Sequence, residues 1–392
     1  MGESLKDKCA IVGIGFSEFG KRVPKSTMTL TLEGCKRAIE DAGLAKEDVD
    51  GLLVALPSAE GERHGWVCRV GSFLGISSTF SAGLDIGGAT PIAMVQLATM
   101  AINAGMCNTV VCCYGWQNSP MGIPLIMPPG LDFTTPYGDF AALPFKAHVA
   151  RRHMHLFGTT SRQMGAVAVT FRKHACMNPQ AQMYEKGPIT IEDHQNSRMI
   201  VEPLRLLDNA PITDSGGAVV VTSAQRAKHL RHRPIYISGM GQAHSGEFMR
   251  PWRDPRYPEG TFEGGKAAEI AFRMAGISHK DIDVAQFYDG FTILVIIELE
   301  TYGFCNPGEG GPFVEEGRLE LGGELPSNTA GGLLSEGHLM GMGHIAEAVR
   351  QLRGECRERQ VNDAEVAFVS GYGGSPHEYP ISFSYSTLIL TR

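Results

Sequence analysis

Residues 42–50 read Ala-Gly-Leu-Ala-Lys-Glu-Asp-Val-Asp, and residues 275–283 read Ala-Gly-Ile-Ser-His-Lys-Asp-Ile-Asp. Each stretch follows a run with helical spacing, Leu32 to Asp41 and Lys266 to Met274. Each precedes an apolar run, Gly51 to Leu56 and Val284 to Phe287, which reads as a buried strand. A left-handed turn commonly ends a helix, and glycine adopts it without steric cost, which assigns Gly43 and Gly276 to that place. The same helix-to-strand corner is therefore written twice in one chain.

Working outward, a second pair of segments matches. Gly87 to Gly105 gives a Gly-Gly turn, an Ala- and Met-rich helical run and a closing glycine, followed by the strand Thr109 to Tyr114. Gly331 to Gly354 gives Gly-Gly, a Gly-rich loop, the helical run His344 to Arg353 and a closing glycine, followed by the strand Val366 to Tyr372. Cys113-Tyr114-Gly115 lines up with Gly371-Tyr372-Gly373. Two copies of a β-α-β-α-β unit thus account for most of the chain, with halves expected at 1–232 and 233–392. Strands alternating with helices predict largely parallel sheets covered by helices. The first half opens with the strand Cys9 to Gly13 and closes with Asp214 to Ser223; the second opens with Pro234 to Gly239. Between them a Met-, His- and Pro-rich insertion runs from about 116 to 207, with helical stretches over Phe140 to Phe157 and Ser161 to Cys176. Insertions of that size commonly serve as lids or substrate-binding elements.

The composition narrows the class. Of 392 residues 43% are hydrophobic and 20% charged, enough for more than one core. With a net charge of −7 and no basic stripe, nucleic acid is not an expected partner. No apolar run reaches the ~18–20 residues of a membrane span, and the polar start Met1 to Cys9 does not read as a secretory signal. The nine cysteines are scattered without CxxC spacing, so reduced thiols in a cytoplasmic protein are expected, with no structural zinc.

The duplicated unit and its local motifs resemble the thiolase superfamily, and within it the sterol-carrier-protein-type thiolases and their aldolase relatives of steroid side-chain degradation. The likeness extends through the insertion, "RRHMHLFGTTSRQM" and "SRMIVEPLRLLDNAPITDSGGA". It implies a thiolase fold, a five-layered α-β-α-β-α core carrying a loop-domain insertion. In degradative thiolases a cysteine at a buried helix start is acylated; the matching position in "LDIGGATPIAM" is Asp85. The more ordinary role for Asp85 is to cap or orient that helix. The family's second cysteine lies in a Cys-x-Gly-Gly loop; here the loop is "GYGGSP" and the position is Gly371, with Tyr372 and Gly373 retained. The family's His-Asp-x-Phe motif is Tyr288-Asp289-Gly290-Phe291, with tyrosine as in the aldolases. Its Gly-His-Pro motif is Gly337-His338-Leu339, keeping the thiolase histidine where some aldolases carry tyrosine.

Loss of both cysteines removes the covalent acyl-enzyme route and leaves acid–base chemistry. The resemblance then implies retro-aldol cleavage of a β-hydroxyacyl-CoA with a steroid- or aromatic-type side chain. The alternatives are a Claisen-type acyltransferase with an unusual nucleophile and a degenerate acyl-CoA-binding subunit. His338, with an ordinary value of ~6.5, suits a base near neutrality, and Tyr288, near ~10, suits a donor. Backbone N–H groups around Gly373 and the Asp85 turn, with Tyr372 beside them, are candidates for holding the thioester oxygen. No permanently bound cofactor is expected; coenzyme A enters as part of the substrate. The resemblance further implies a homodimer and a separate small partner bearing a zinc motif and an OB-fold. The homodimer is expected to pair through "TVVCCYG", taken as an edge strand. His344 reads as a helix-start residue. His148, His153 and His155 lack the spacing of a helical metal site. Arg151 and Arg152 suit CoA phosphates or a solvated helix face equally. Cys112 and Cys113, inside the strand, read as inert.

Overall fold

The computed structural model describes residues 4–57, 63–118, 142–244, 261–375 and 382–392. Its two written corners are the same object. Helix Thr27–Asp41 ends at Gly43 with φ 69°, and helix Thr261–Ala275 ends at Gly276 with φ 70°. A single 3₁₀ turn follows each, Lys46–Asp48 and His279–Asp281. The two aspartates of each repeat divide the work. Asp48 accepts the Ala45 N–H and Asp281 the Ser278 N–H, closing the 3₁₀ turns. Asp50 accepts the N–H groups of Asn108 and Thr109, and Asp283 those of Glu365 and Val366. Each second aspartate thereby ties its own strand to the start of the neighbouring one.

Strands β1 (Cys9–Phe16), β2 (Gly51–Ala55), β3 (Phe80–Leu84) and β4 (Thr109–Trp116) belong to the first half. A small hairpin pairs β5 (Met199–Val201) with β6 (Leu204–Arg205) in the insertion. Then come β7 (Ser215–Ser223), β8 (Ile235–His244), β9 (Val284–Gln286), β10 (Val366–Ser375) and β11 (Ser382–Thr391). The main sheet runs β3-β2-β4-β7-β1-β8-β11-β10-β9. Only a two-residue antiparallel contact, Ala10↔Tyr236 and Ile11↔Ile235, joins β1 to β8, so the sheet comprises two halves that meet at a short seam.

The expectation of largely parallel sheets is corrected. Parallel pairing holds for β2 with β3 and β4 and for β9 with β10, while β7 enters antiparallel between β1 and β4, and β11 between β8 and β10. Both antiparallel insertions are return strands that end a half, a connection that helix–strand alternation does not encode. A second correction concerns "TVVCCYG". This strand, β4, lies between β2 and β7; among the described residues the outer strand of the first half is β3, and that of the second is β9.

Helix Thr90–Asn103 and helix Met342–Arg353 share one apolar cluster with residues of both half-sheets, including Val110, Val219, Val369 and Leu388. Helix Thr27–Asp41 packs on β1, β4 and β7, and helix Thr261–Ala275 on β8 and β11. The layering is therefore helix, half-sheet, paired central helices, half-sheet, helix. The low amphipathicity of "TPIAMVQLATMAIN" fits a helix covered on nearly every side. From the insertion, helices Ala142–Phe157 and Ser161–Ala175 lie against helix Thr292–Thr301, and the second also meets the short helices Gly310–Glu315 and Gly332–Ser335. Residues 119–141 of the expected insertion, and the end of "GYGGSP", lie outside the described residues. Among the described residues no helix is long and apolar enough to cross a membrane.

Candidate active site

Past the short strand β9 the chain leaves the sheet, and side chains take over its backbone groups. Asn328 holds Phe287 from both ends, accepting its N–H and donating to its carbonyl, each at 2.8 Å. The Tyr288 N–H is shared between Glu298 Oε2 at 3.0 Å and Ser370 Oγ at 2.9 Å. The Tyr288 ring is thereby fixed inward, with its phenol end over Gly88. A Cβ on Gly88 would stand 2.2 Å from the Tyr288 hydroxyl, so only glycine fits beneath it.

Asp289 is fully buried and gathers three separate segments around itself. It accepts the N–H groups of Leu333 and Leu334 at the start of the Gly332–Ser335 turn, at 2.8 and 3.1 Å. Its Oδ1 also meets His344 Nε2 at 2.9 Å. One carboxylate thus ties together the end of β9, the Gly-rich loop and the last core helix. His344 lies in the first turn of helix Met342–Arg353, as read from the sequence, and its buried ring also reaches back to Asp289.

The Gly-rich loop delivers His338. Its N–H donates to Thr213 Oγ1 at 2.9 Å, and its ring lies edge-on to Trp116 at 5.0 Å and to Tyr288 at 6.5 Å between centroids. His338 Nδ1 is buried with no hydrogen-bond partner among the described residues. Burial pushes the imidazole down to about 4, against the opposing pull of its own backbone and of Asp289, with His344 adding a lesser downward push. The expectation of a histidine titrating near neutrality is corrected: this ring is neutral at pH 7. Tyr288 moves the other way, raised above its usual range by burial and then by the carboxylates of Asp289 and Glu298. Glu298 is itself pushed up to about 8 by burial.

The end of β10 completes the group; the expected loop at Gly371–Gly373 is corrected, because these residues continue the strand and pair with β11. Tyr372 lies 6.2 Å from Tyr288 between centroids, and the backbone at Gly373 abuts the turn before helix Thr90–Asn103. A Cβ at Gly373 would stand 2.0 Å from the Ile86 carbonyl oxygen. At Gly371 a Cβ would stand 2.6 Å from Ser386 Oγ, so the position of the family's second cysteine has no room for a side chain. Asp85 does not cap the helix. Ala89 occupies the N-cap without a side-chain bond, and Asp85 faces outward to Arg63 at 2.8 Å. Its link to the turn is a long contact from the Gly87 N–H at 3.5 Å. Cys112 and Cys113 are fully buried, and burial raises both thiols above their ordinary range, with a hydrogen bond to Cys35 leading for Cys113.

Sequence reasoning passed over Asp289, Glu298, His344 and Lys146. Asp289 lay within the quoted Tyr288 motif, and an acidic residue between the aromatic residues Phe287, Tyr288 and Phe291 was its available signal. Lys146, buried in helix Ala142–Phe157, donates to the Tyr372 hydroxyl. His153 is bonded to Thr159 at 2.7 Å and Glu300 at 3.1 Å, and Arg151 is paired with Glu202.

A layered, internally repeated α/β core in which both positions of the family's catalytic cysteines lack a thiol defines a thiolase-fold protein of the kind without catalytic cysteines. Comparison with known proteins gives the branch. Residues 242–386 match the thiolase C-terminal domain-like family. The chain is 41% identical to the 17-hydroxy-3-oxo-4-pregnene-20-carboxyl-CoA lyase of Mycobacterium tuberculosis, over 94% of this chain and 97% of that one. It is 39% identical to the steroid side-chain-cleaving aldolase of Thermomonospora curvata, over 94% and 96%. A solved chain of the Ltp2-ChsH2(DUF35) aldolase superposes with a TM-score of 0.86 at 38% identity, over 99% of this chain and 98% of that one. The chain belongs to the thiolase superfamily, in the branch of the steroid side-chain-cleaving aldolases.

Proposed function

We propose that this chain is a carbon–carbon lyase that cleaves a β-hydroxyacyl-CoA by a retro-aldol reaction, with a steroid-type side chain as the acyl group. The observation that carries this is the facing pair Tyr288 and His338, 6.5 Å between ring centroids, beside a turn that presents no thiol. The lyases among its relatives set the reaction class.

In this reading the neutral His338 ring accepts the β-hydroxyl proton. As the Cα–Cβ bond breaks, a ketone or aldehyde leaves and the electron pair passes onto the thioester as an enolate. Tyr288, held as a phenol by its surroundings, is the donor on the other side of the breaking bond. Tyr372 and the backbone around Gly373 and the Asp85 turn hold the thioester oxygen. Asp85 is engaged by Arg63, and burial raises the Cys112 and Cys113 thiols above their ordinary range, which supports a route without an acyl-enzyme. The halves 1–232 and 233–392 belong to this reading, with the site drawing on both. So do cytoplasmic residence, a homodimer, and a separate DUF35-type chain in the role of the zinc and OB-fold partner, as the Ltp2-ChsH2(DUF35) aldolase suggests.

The test is incubation of the purified chain, with and without a DUF35-type partner, with a panel of β-hydroxyacyl-CoAs and mass spectrometry of products. Release of a ketone or aldehyde together with the shortened acyl-CoA is expected. Thiolysis products that require free CoA, with no ketone or aldehyde released, would instead establish an acyltransferase.

A further inference from the structure

A lysine seldom lies buried, because removing an ammonium from water is costly unless charge-compensating contacts receive it. Lys146 is 3% exposed. Its Nζ donates to the Tyr372 hydroxyl and lies 4.3 Å from the Tyr372 ring centre, 5.0 Å from Phe383 and 5.2 Å from Phe145. Three ring faces around one Nζ form an aromatic setting that favours a cation. Phe383 stacks on Tyr372 at 5.8 Å, and Phe145 lies against Phe383 at 5.4 Å, so the rings of the box also pack on one another. Tyr372 in turn neighbours Tyr288.

From this geometry we infer that Lys146 is a positioning residue for the lyase reaction: through its hydrogen bond it makes Tyr372 the donor that stabilises the thioester enolate. This rests on the proposed lyase reading of the site. When the Tyr372 oxygen accepts from an ammonium, its own hydrogen is turned away from Lys146, and the cation polarises the O–H bond. Hydrogen bonds in such a chain strengthen one another. A donor fixed before the reaction, in a site with little water, stabilises charge that develops only as the Cα–Cβ bond breaks. No bond is made to either residue, and the enolate carbon takes its proton from another group. Sequence places the two residues 226 positions apart, so nothing local links them.

The experiment compares Lys146→Met, Lys146→Arg, Tyr372→Phe and the double variant Lys146→Met/Tyr372→Phe, each in the complex that supports turnover. Two readouts are used: cleavage of a β-hydroxyacyl-CoA, and deuterium uptake at the α-carbon of propionyl-CoA in D₂O, which reports enolate formation without carbon–carbon cleavage. Thermal melting establishes that each variant is folded. Lys146→Met and Tyr372→Phe are each expected to lower kcat and the exchange rate by about 10²–10³-fold, the scale of losing one oxyanion donor, with little change in KM. The double variant should be no slower than Tyr372→Phe alone, and Lys146→Arg should recover part of the loss. Multiplicative losses in the double variant, or a folded Lys146→Met with near-normal kcat and exchange, would overturn the inference. A wild type that exchanges deuterium but cleaves nothing would remove the lyase reading and leave the Lys146–Tyr372 pairing standing. A wild type that does neither would overturn both.

Discussion

A phenol and an imidazole perform different tasks in one reaction only if their surroundings hold them in different protonation states. Around Tyr288 burial, and then the neighbouring acidic groups of Asp289 and Glu298, keep the phenol protonated, and around His338 burial keeps the ring neutral. Tyr288→Phe deletes one hydroxyl and leaves the Gly88 contact, so the fold should persist while cleavage falls by about 10²-fold or more. His338→Ala should fall as far. The pH profile carries the sharper prediction. With His338 at about 4, the base form is complete by pH 6, so kcat should stay flat from pH 6 to 7 and decline only on the approach to pH 4. A decline centred near 6.5 would return His338 to an ordinary, solvated histidine. Glu298 gives a stability counterpart. Its carboxyl is raised to about 8 in the folded chain, against an ordinary value near ~4.3 unfolded. The folded state then binds the extra proton, so this contribution is full below pH 4 and is lost as pH rises through 8. Glu298→Gln should flatten the fall in melting temperature between pH 6 and 9; an unchanged slope would assign that fall to other groups. Tyr288 and His338 were legible because each sits in a short motif. Lys146 and His344 were not, because their partners, Tyr372 and Asp289, are distant in sequence and meet them only in the folded core; Glu298, ten residues past Tyr288, sits in an apolar helix whose sequence does not show that its carboxyl turns back to the Tyr288 N–H.

At the scale of elements, the two corners were the most legible feature of the chain, and the reason is chemical. A glycine past a helix and a carboxylate that closes a 3₁₀ turn are local devices, so sequence alone displays them; the second carboxylate reaches a strand start far along the chain, and only its place in the repeat was legible. Strand order is not local. Nothing in "SFSYSTLILT" announces that β11 runs back antiparallel between β8 and β10. The corner carboxylates are open to test. Asp50 is half-buried; burial raises its carboxyl, but the N–H groups of Thr109 and Asn108 outweigh that and hold it below the usual range. Asp50→Ala removes an acceptor from two backbone donors and the Asn108 amide, and should cost about 1–3 kcal/mol in urea unfolding. The wild type should lose that contribution as pH falls through the depressed value, and the variant should not. A loss below about 0.5 kcal/mol would mean that water replaces the carboxylate at the strand start.

At the scale of the whole molecule, the apolar strand "TVVCCYG" misled because apolarity reports burial on both faces, not position in a sheet. A strand flanked by β2 and β7 and covered by helices is as apolar as any in the chain. The true outer strand of the first half, β3, is short and small, "FSAGL", with alternating half-buried and exposed residues, and gives a weak signal. Among the described residues it pairs on one side only, with β2. An unpaired edge is a template for another chain unless something covers it. Large apolar side chains on neighbouring elements are exposed as well. Phe73 is 69% exposed on helix Trp66–Leu74, which packs on β3, and Met106 is 52% exposed beside Thr79 at the head of that strand. The proposed homodimer is therefore expected to form through β3, with a C₂ axis that sets two copies of the edge antiparallel. Sedimentation at micromolar concentration should show a dimer. Phe73→Glu with Met106→Glu alters only exposed positions, so melting should be little changed. Four carboxylates facing across the axis should shift the equilibrium to monomer, less so at high salt, where their repulsion is screened. A variant that stays fully dimeric would place the interface elsewhere, and a monomeric wild type would leave β3 free for the DUF35-type partner.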